Sequence, residues 1–285
     1  MARIAYVNGR YLPHRAAAVH VEDRGYQFAD GVYEVCEVGE GRLVDERRHM
    51  QRLVRSLGEL GIALPMSLAA LGIVLRETVR RNRVEHGLVY LQVTRGVARR
   101  DFLFPSPETR PSVVVTARNL DRGKQERLAA EGIAVVTVPD NRWDRVDIKS
   151  VSLLPNVLAK EAARASGARE AWFVDRDGFV TEGASSNAWI VTRDGKLVTR
   201  PADHGILRGI TRTVVLDVAA ARNLGLEERR FSVTEAYEAR EAFVTSASQI
   251  VMPVVSIDGR PIGNGAPGLV ANALRRDFHR HAETG

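Results

Sequence analysis

Four lysines, Lys124, Lys149, Lys160 and Lys196, carry the only side-chain primary amines in a chain with 41 basic residues; the rest are arginine. Three have ordinary settings. Lys124 lies in a charged run, Lys196 follows an Asp-Gly turn signal, and Lys160 neighbours Glu161 and Arg164 on a helical pattern. Lys149 differs, because Val146-Asp-Ile-Lys-Ser-Val-Ser-Leu-Leu154 is largely apolar around it. Desolvation disfavours the charged ammonium and leaves a neutral, nucleophilic amine. The plainer alternative is that Asp147 and Lys149 share the solvent face of a strand.

Two downstream segments could serve such an amine. Glu182, in Thr181-Glu-Gly-Ala-Ser-Ser-Asn187, stands at a strand end beside a small-residue turn. It could pair with a ring nitrogen or simply be exposed. Gly205-Ile-Leu-Arg-Gly-Ile-Thr211 opens a helix. The free N–H groups of a helix start, with the Thr211 hydroxyl, suit a phosphate; an ordinary helix entry is the alternative. An amine, a carboxylate and a phosphate cradle are the parts of a pyridoxal phosphate site.

Other patterns carry less. Gly263-Asn-Gly-Ala-Pro-Gly268 fits G-x-G-x-x-G, but the 17 residues after it cannot complete a dinucleotide-binding unit of about 30 residues. Neither Gly123-Lys124 nor Gly195-Lys196 is followed by Ser or Thr, so no P-loop is present. Gly183-Ala-Ser-Ser-Asn187 lacks the last Gly of a nucleophile elbow. His279 and His281 have no Cys or carboxylate at ligand spacing, and no metal site is expected.

The elements that must position these residues are mixed α and β. Residues 1–45 alternate short apolar runs with turn signals and read as strands. Helical spacing covers Glu46–Leu60, with Met50, Leu53, Val54, Leu57 and Leu60 as its stripe, and about Leu68–Arg81. Strands follow at Leu88–Thr94, Ser112–Ala117 and Ile133–Val138, helices at Leu154–Ser166, Leu207–Asn223 and Leu269–His281, and a strand-rich stretch at Phe243–Ile257. The 285 residues suggest two domains at about 100–200 residues each. The expected organisation is an N-terminal α/β domain over 1–118, a polar linker over 119–127, and a C-terminal α/β domain over 128–285.

Composition excludes several classes. A hydrophobic content of 45% is that of a folded chain, and the lone Cys36 rules out a disulfide framework. A reducing cytoplasmic home is expected, with no signal peptide in Met1–Gly9. The longest charge-free stretch, Leu60–Leu75, contains Pro65 and is shorter than the roughly 18–20 residues of a membrane helix. The net charge of +6 is interspersed, and the densest run, Arg80–Arg83, ends a helical pattern where cations favour the dipole. A nucleic-acid-binding protein would need a basic stripe or aromatic platform, and only 6% of residues are aromatic.

The run Asp147-Ile-Lys-Ser-Val-Ser-Leu-Leu-Pro-Asn-Val-Leu-Ala-Lys160 resembles the catalytic-lysine motif of class IV aminotransferases, the fold type IV pyridoxal phosphate enzymes. Val180–Asn187 and Gly205–Arg212 resemble the next two motifs of that family, in order, and Tyr26–Glu34 its N-terminal motif. The Ile-Lys-Ser…Leu-Leu-Pro-Asn form is most similar to the D-amino-acid branch. The resemblance spans nearly the whole chain. It implies a two-domain α/β fold with pyridoxal 5'-phosphate between the domains, and a homodimer. It also implies a ping-pong exchange of an amino group between a D-amino acid, such as D-alanine, and a 2-oxo acid, such as 2-oxoglutarate.

By the same resemblance, Lys149 holds the cofactor and shuttles the proton at the substrate α-carbon, and Glu182 pairs with the pyridine nitrogen. Arg52, Ile210, Thr211, Ser246 and Ala247 hold the phosphate, and Leu207 packs on the ring. From its own pattern Arg52 only flanks the apolar stripe and could lie on the surface. Tyr33 and Arg100, the latter in Gln92–Pro105, match two of the family's three carboxylate-binding groups. Phe102 stands where the third, a His, is expected, and removes a donor worth about 1–3 kcal/mol if its partner is left unpaired. Alternatives of the same fold are branched-chain L-amino-acid transaminases, (R)-amine transaminases and aminodeoxychorismate lyase. The Ile-Lys-Ser motif argues against the first, Arg100 argues for an acid substrate, and Phe102 keeps amines open.

Overall fold

The computed structural model describes residues 3–284. The described residues form two compact units: 3–121 with 148–152 and 283–284, and 122–147 with 153–282.

The first unit contains β1 (Ile4–Val7), β2 (Arg10–Pro13), α1 (Arg24–Phe28), β3 (Gly31–Gly39), β4 (Arg42–Leu43), α2 (Glu46–Glu59), α3 (Leu68–Asn82), β5 (His86–Thr94) and β6 (Ser112–Asn119). Its antiparallel sheet has the order β2-β1-β6-β5-β3-β4. In β3, Val32, Glu34, Cys36 and Val38 are buried while Tyr33, Val35 and Glu37 are only half-buried, the alternation of a strand covered on one face. That core includes Met50, Leu53 and Leu57 of α2 and Leu71, Leu75 and Val79 of α3. These residues lie at helical spacing, so each helix buries one stripe. Ser67 caps α3 by accepting from Ala70 N.

The second unit contains α4 (Arg122–Glu131), β7 (Ile133–Pro139), α5 (Leu154–Ala165), β8 (Glu170–Val174), β9 (Val180–Gly183), β10 (Asn187–Val191), β11 (Leu197–Thr199), α6 (Ile210–Ala221), β12 (Leu226–Glu228), α7 (Val233–Glu238), β13 (Glu241–Ser246), β14 (Ile250–Ile257), β15 (Arg260–Pro261) and α8 (Leu269–His281). Its mixed sheet has the order β12-β11-β10-β13-β14-β7-β8-β9, with β15 on β14. Strands β8, β9, β10 and β13 are almost wholly buried, as expected of strands covered on both faces.

The structure differs from the sequence reading at four places. The two units divide in sequence between Asp121 and Arg122, inside the polar segment 119–127, whose second part is helical rather than open chain. Arg122–Glu131 is a helix, since Lys-Gln-Glu-Arg-Leu-Ala-Ala-Glu are strong helix formers whatever their polarity. Residues 128–285 are not one continuous body, because 148–152 belong with the first unit. There Ile148 is buried among the core of α2 and α3, and Ser150 pairs with Val32. The helix expected from Leu207 begins at Ile210, with Gly209 as its N-cap. Within 1–45, α1 breaks the expected run of strands. It spans five residues, too few to show a helical period, and Asp23 starts it by accepting from Gly25 N.

Candidate active site

Lys149 sits on β3 of the first unit. Tyr33 N donates to Lys149 O (3.0 Å) and Val151 N to Gly31 O (3.0 Å), so 149–151 line β3 as a short added strand. Lys149 N donates to Ser56 Oγ of α2 (3.3 Å). With the backbone held at both sides, the half-buried side chain lays Nζ 4.2 Å from the Tyr33 ring centroid. Tyr33 stacks on Tyr90 (5.6 Å, 27°), and Tyr90 OH donates to Gln92 Oε1 (2.7 Å). Burial, with the neighbouring Tyr33, pushes the Tyr90 phenol up to about 12. Among the described residues, Lys149 has no carboxylate at ion-pair distance, whereas Lys160 meets Glu170 (3.3 Å) and Lys196 meets Glu227 (2.6 Å).

The opposite face of β3 carries a buried ionic cluster. Arg52 of α2 forks onto Glu34, Nε to Oε1 and Nη2 to Oε2, both at 2.8 Å. His49 Nδ1 lies 2.7 Å from Glu34 Oε2. Burial alone would raise the Glu34 carboxyl; the Arg52 guanidinium and the His49 hydrogen bond outweigh it and hold the group at about 2. Burial lowers the His49 imidazole more than the Glu34 hydrogen bond raises it, and because the Glu34 carboxylate can only accept, His49 donates Nδ1–H to it. Arg52 is therefore not a surface residue: its side chain is 9% exposed.

In the second unit, Glu182 is buried near the end of β9. Its Oε2 accepts from Asn187 Nδ2 and from Leu207 N, both at 3.1 Å, and Oε1 pairs with Arg142. Arg142 also grips Asp140 through Nε (2.9 Å) and Nη2 (2.8 Å). Burial would raise Asp140, but the Arg142 hydrogen bonds hold it below the ordinary carboxylate range. Asn187 Nδ2 donates again to Leu207 O (2.9 Å), tying Leu207 to the same carboxylate. Gly209 closes the set, because a Cβ there would stand 2.1 Å from Asn187 Oδ1. Gly209 N-caps α6 without any side-chain cap, so the first-turn N–H groups of Ile210 and Thr211 have no cap to compete with a ligand.

Ser246 and Ala247 begin the turn from β13 to β14. Thr245 pairs with Asn187 across the sheet, which puts Ser246 one residue beyond the Glu182 cluster. Ser246 Oγ and Ser248 Oγ are 3.3 Å apart. The turn ends on Ile250 at φ +59°, a left-handed conformation that a β-branched residue adopts only under strain, of the kind that collects at functional sites.

Thus the structure gathers Glu182, Leu207, Ile210 and Thr211, with Ser246 next in register, and separately gathers Tyr33 and Lys149. Arg100 and Phe102 lie on the loop after β5. The Arg100 guanidinium is 4.6 Å from the Phe28 ring, and Phe102 packs on Phe28 at 5.7 Å with 87% of its surface exposed. Arg142 and Asn187 have no role that the sequence alone assigns. Asn187 closes the Val180–Asn187 motif, but nothing marks Arg142 among so many arginines.

The family model for class IV amino-transferases matches residues 31–257. The chain is a class IV aminotransferase. It is 39% identical to the D-alanine aminotransferase of Staphylococcus haemolyticus over 98% of both chains. It is 44% identical to that of Bacillus licheniformis over 92% of this chain and 90% of the relative. Among solved structures it is similar to the branched-chain amino acid aminotransferase of T.th. with pyridoxamine 5'-phosphate (TM-score 0.89, 27% identity, covering 98% and 94%). It is also similar to that of Thermoproteus uzoniensis with norvaline (TM-score 0.85, 26% identity, covering 100% and 99%).

Enzymes of this class use pyridoxal phosphate, and the second unit fits it. An uncapped helix start with a threonine hydroxyl suits a phosphate dianion, and a carboxylate held by three donors suits a protonated ring nitrogen.

Two outcomes test this geometry. Gly209→Ala must push Asn187 away, so cofactor affinity should fall about 5- to 150-fold, about 1–3 kcal/mol, with the fold retained; equilibrium titration of the apoenzyme reads this. Glu34→Gln leaves Arg52 buried without its counter-charge and should cost about 3–5 kcal/mol in urea unfolding at pH 7. Because Glu34 sits at about 2 in the fold against 4.5 ordinarily, its contribution is complete above pH 4.5 and fades as pH falls towards 2. The gap between wild type and Glu34→Gln should narrow over that window.

Proposed function

We propose that the chain moves the amino group of a D-amino acid, such as D-alanine, to a 2-oxo acid, such as 2-oxoglutarate, yielding pyruvate and D-glutamate. The observation that carries the chemistry is a lysine whose backbone is fixed on β3 and whose amine has no carboxylate partner among the described residues, in a chain whose Glu182 is fixed beside an uncapped helix start. The D-preference is supported by the relatives at 39–44% identity, which are D-alanine aminotransferases, whereas the branched-chain enzymes above are similar at 26–27%.

In this reading Lys149 holds the cofactor through its amine and afterwards carries the proton off and onto the substrate α-carbon. The cofactor, when bound, supplies an electron sink for the α-carbon. Glu182 keeps the ring nitrogen protonated, with Arg142 and Asn187 fixing the carboxylate so that it need not reorganise as charge develops. Ile210 and Thr211 present N–H groups and a hydroxyl to the phosphate, Ser246 and Ala247 complete the cradle, and Arg52 adds a cation braced by Glu34. Leu207 packs against the ring. Tyr33 and Arg100 take the substrate carboxylate, and Phe102 puts an apolar ring where the family has a donor. Two half-reactions share one cofactor, so the kinetics are ping-pong.

We place the working unit as a homodimer in the cytoplasm. Tyr26, Phe102, Leu103 and Phe104 are exposed apolar side chains that a second copy would cover. The lone buried Cys36 suits a reducing compartment, and no described helix is long and apolar enough to cross a membrane.

The deciding experiment mixes purified holoenzyme separately with D-alanine, L-leucine and (R)-1-phenylethylamine and follows loss of the visible cofactor band. D-alanine should bleach it fastest, and bleaching by leucine or the amine alone would reassign the substrate class. Lys149→Ala should lose the band and all turnover while staying folded; Lys160→Ala should keep both. Loss of the band in Lys160→Ala would refute the lysine assignment.

A further inference from the structure

Arg24 lies in α1, outside every group given a role above, and its charge is buried: the side chain is 4% exposed. Its Nε donates to Asp30 Oδ2 (2.8 Å). Its Nη1 donates to two main-chain carbonyls of the loop after β5, Asp101 O (2.7 Å) and Leu103 O (3.3 Å). These carbonyls flank Phe102 on either side. The loop runs from 95 to 111 without strand or helix, so few backbone bonds of its own fix its path. Leu103 N donates to Asp101 Oδ1 (3.1 Å), which closes a tight turn over the residues Arg24 grips.

The clamp is anchored in turn. Asp30 also receives a fork from Arg95, Nε to Oδ2 at 2.7 Å and Nη2 to Oδ1 at 3.0 Å. Arg95 reaches Leu60 O (2.7 Å) and Gly61 O (3.1 Å) at the end of α2, and its guanidinium lies 3.8 Å from the Phe104 ring. The Phe28 ring collects three groups: the Arg24 guanidinium at 4.8 Å, the Arg100 guanidinium at 4.6 Å and the Phe102 ring at 5.7 Å. One largely buried carboxylate and one aromatic ring therefore fix the loop at Asp101, Leu103 and Phe104, on both sides of Phe102 and immediately after Arg100.

Burying two guanidinium groups around one carboxylate is a poor way to add stability, since apolar packing of equal volume does as well. It is a good way to fix geometry, because a planar fork with several acceptors admits one arrangement. We infer that Arg24 is a positioning residue that sets the Arg100–Phe102 loop for substrate binding and acts on the substrate carboxylate through Arg100. The inference rests on the reading of Arg100 as a carboxylate ligand. A misplacement of such a group by about 1 Å is enough to cost up to a hundredfold.

The test is a double-mutant cycle on the holoenzyme with D-alanine, using Arg24→Ala, Arg100→Ala and the pair. Arg24→Ala should raise KM about tenfold with kcat within about twofold, and leave the cofactor spectrum unchanged. In the Arg100→Ala background the same change should add almost nothing, since the loop then has no guanidinium to position. Arg24→Lys keeps a cation for Asp30 but lacks the fork, so it should give a smaller rise in KM; it carries the same cycle if Arg24→Ala unfolds. An unchanged KM in Arg100→Ala would remove the premise about Arg100. A raised KM in Arg100→Ala with either no rise in Arg24→Ala or losses that multiply in the pair would overturn the inference itself. A fall in kcat and melting temperature with no change in KM would make Arg24 a purely structural residue.

Discussion

The period of two along β3 is the constraint on which the first unit depends. Because neighbouring side chains point to opposite faces, Tyr33 and Glu34 cannot share the same surroundings. Glu34 is sent into the core under α2, where a matched cation and an imidazole N–H make its charge tolerable. Tyr33 is sent to the other face, where its ring lies under Nζ of Lys149. The main chain of the same two or three residues holds Lys149 itself, through Tyr33 N and Gly31 O. A slip of one residue would put the carboxylate under the amine and the phenol into the core. The buried Glu34–Arg52–His49 cluster opposes such a slip, because it would leave a guanidinium without its partner.

In the second unit a comparable economy centres on Asn187. One side-chain amide donates to the Glu182 carboxylate and to the Leu207 carbonyl, while its oxygen side is packed by the Gly209 backbone. The strand end, the helix entry and the carboxylate are thereby fixed to one another by a group that contacts none of the chemistry. Arg142 does the same from the other side, and because it grips Asp140 as well, swinging away would take its charge from two carboxylates at once. The strained Ile250 lies beside this region. Backbone strain of order 1–3 kcal/mol persists only where surrounding contacts over-determine the conformation.

Much of this was legible from residue types alone. The stripes of α2, α3, α5 and α8 announced helices because each buries one face, and Lys149, Glu182 and the Gly209–Thr211 helix entry stood out as an amine, a strand-end carboxylate and a glycine-led start. What failed to show was of two kinds. Elements shorter than about two turns, such as α1 and α7, do not repeat their pattern, and α4 has a polar surface that reads as a linker because only Ala129 is buried. The other hidden features are partnerships. Nothing local distinguishes Arg24, Arg95 or Arg142 from arginines on the surface. Their significance comes from acceptors supplied by distant segments, such as Leu60, Leu103 and Glu182. The same holds for Ile148–Ser152, which follows one unit in sequence but packs with the other because Ile148 completes a core built far upstream.

The contrast between arginine and lysine in this chain follows the same physics. A guanidinium stays charged and forks, so it can be buried as a structural cation, and the chain uses it so at Arg24, Arg52, Arg95 and Arg142. It cannot serve as an amine nucleophile. Lysine is the opposite case: its point charge organises little, and its amine is the group that can react. A protein that builds its buried charge pairs from arginine leaves amine chemistry to a few positions, and geometry then separates those. Lys160 is drawn to Arg169 O (2.5 Å) and Glu170, and Lys196 to Glu227. Each would have to break a charge-assisted contact before reacting. Lys149 rests against an aromatic face, an attraction of about 0.5–1 kcal/mol at a half-open site, with its backbone already fixed. Little would have to be undone for its amine to form a covalent bond, and it is this position on β3 that favours Lys149 over the other two in the proposed chemistry.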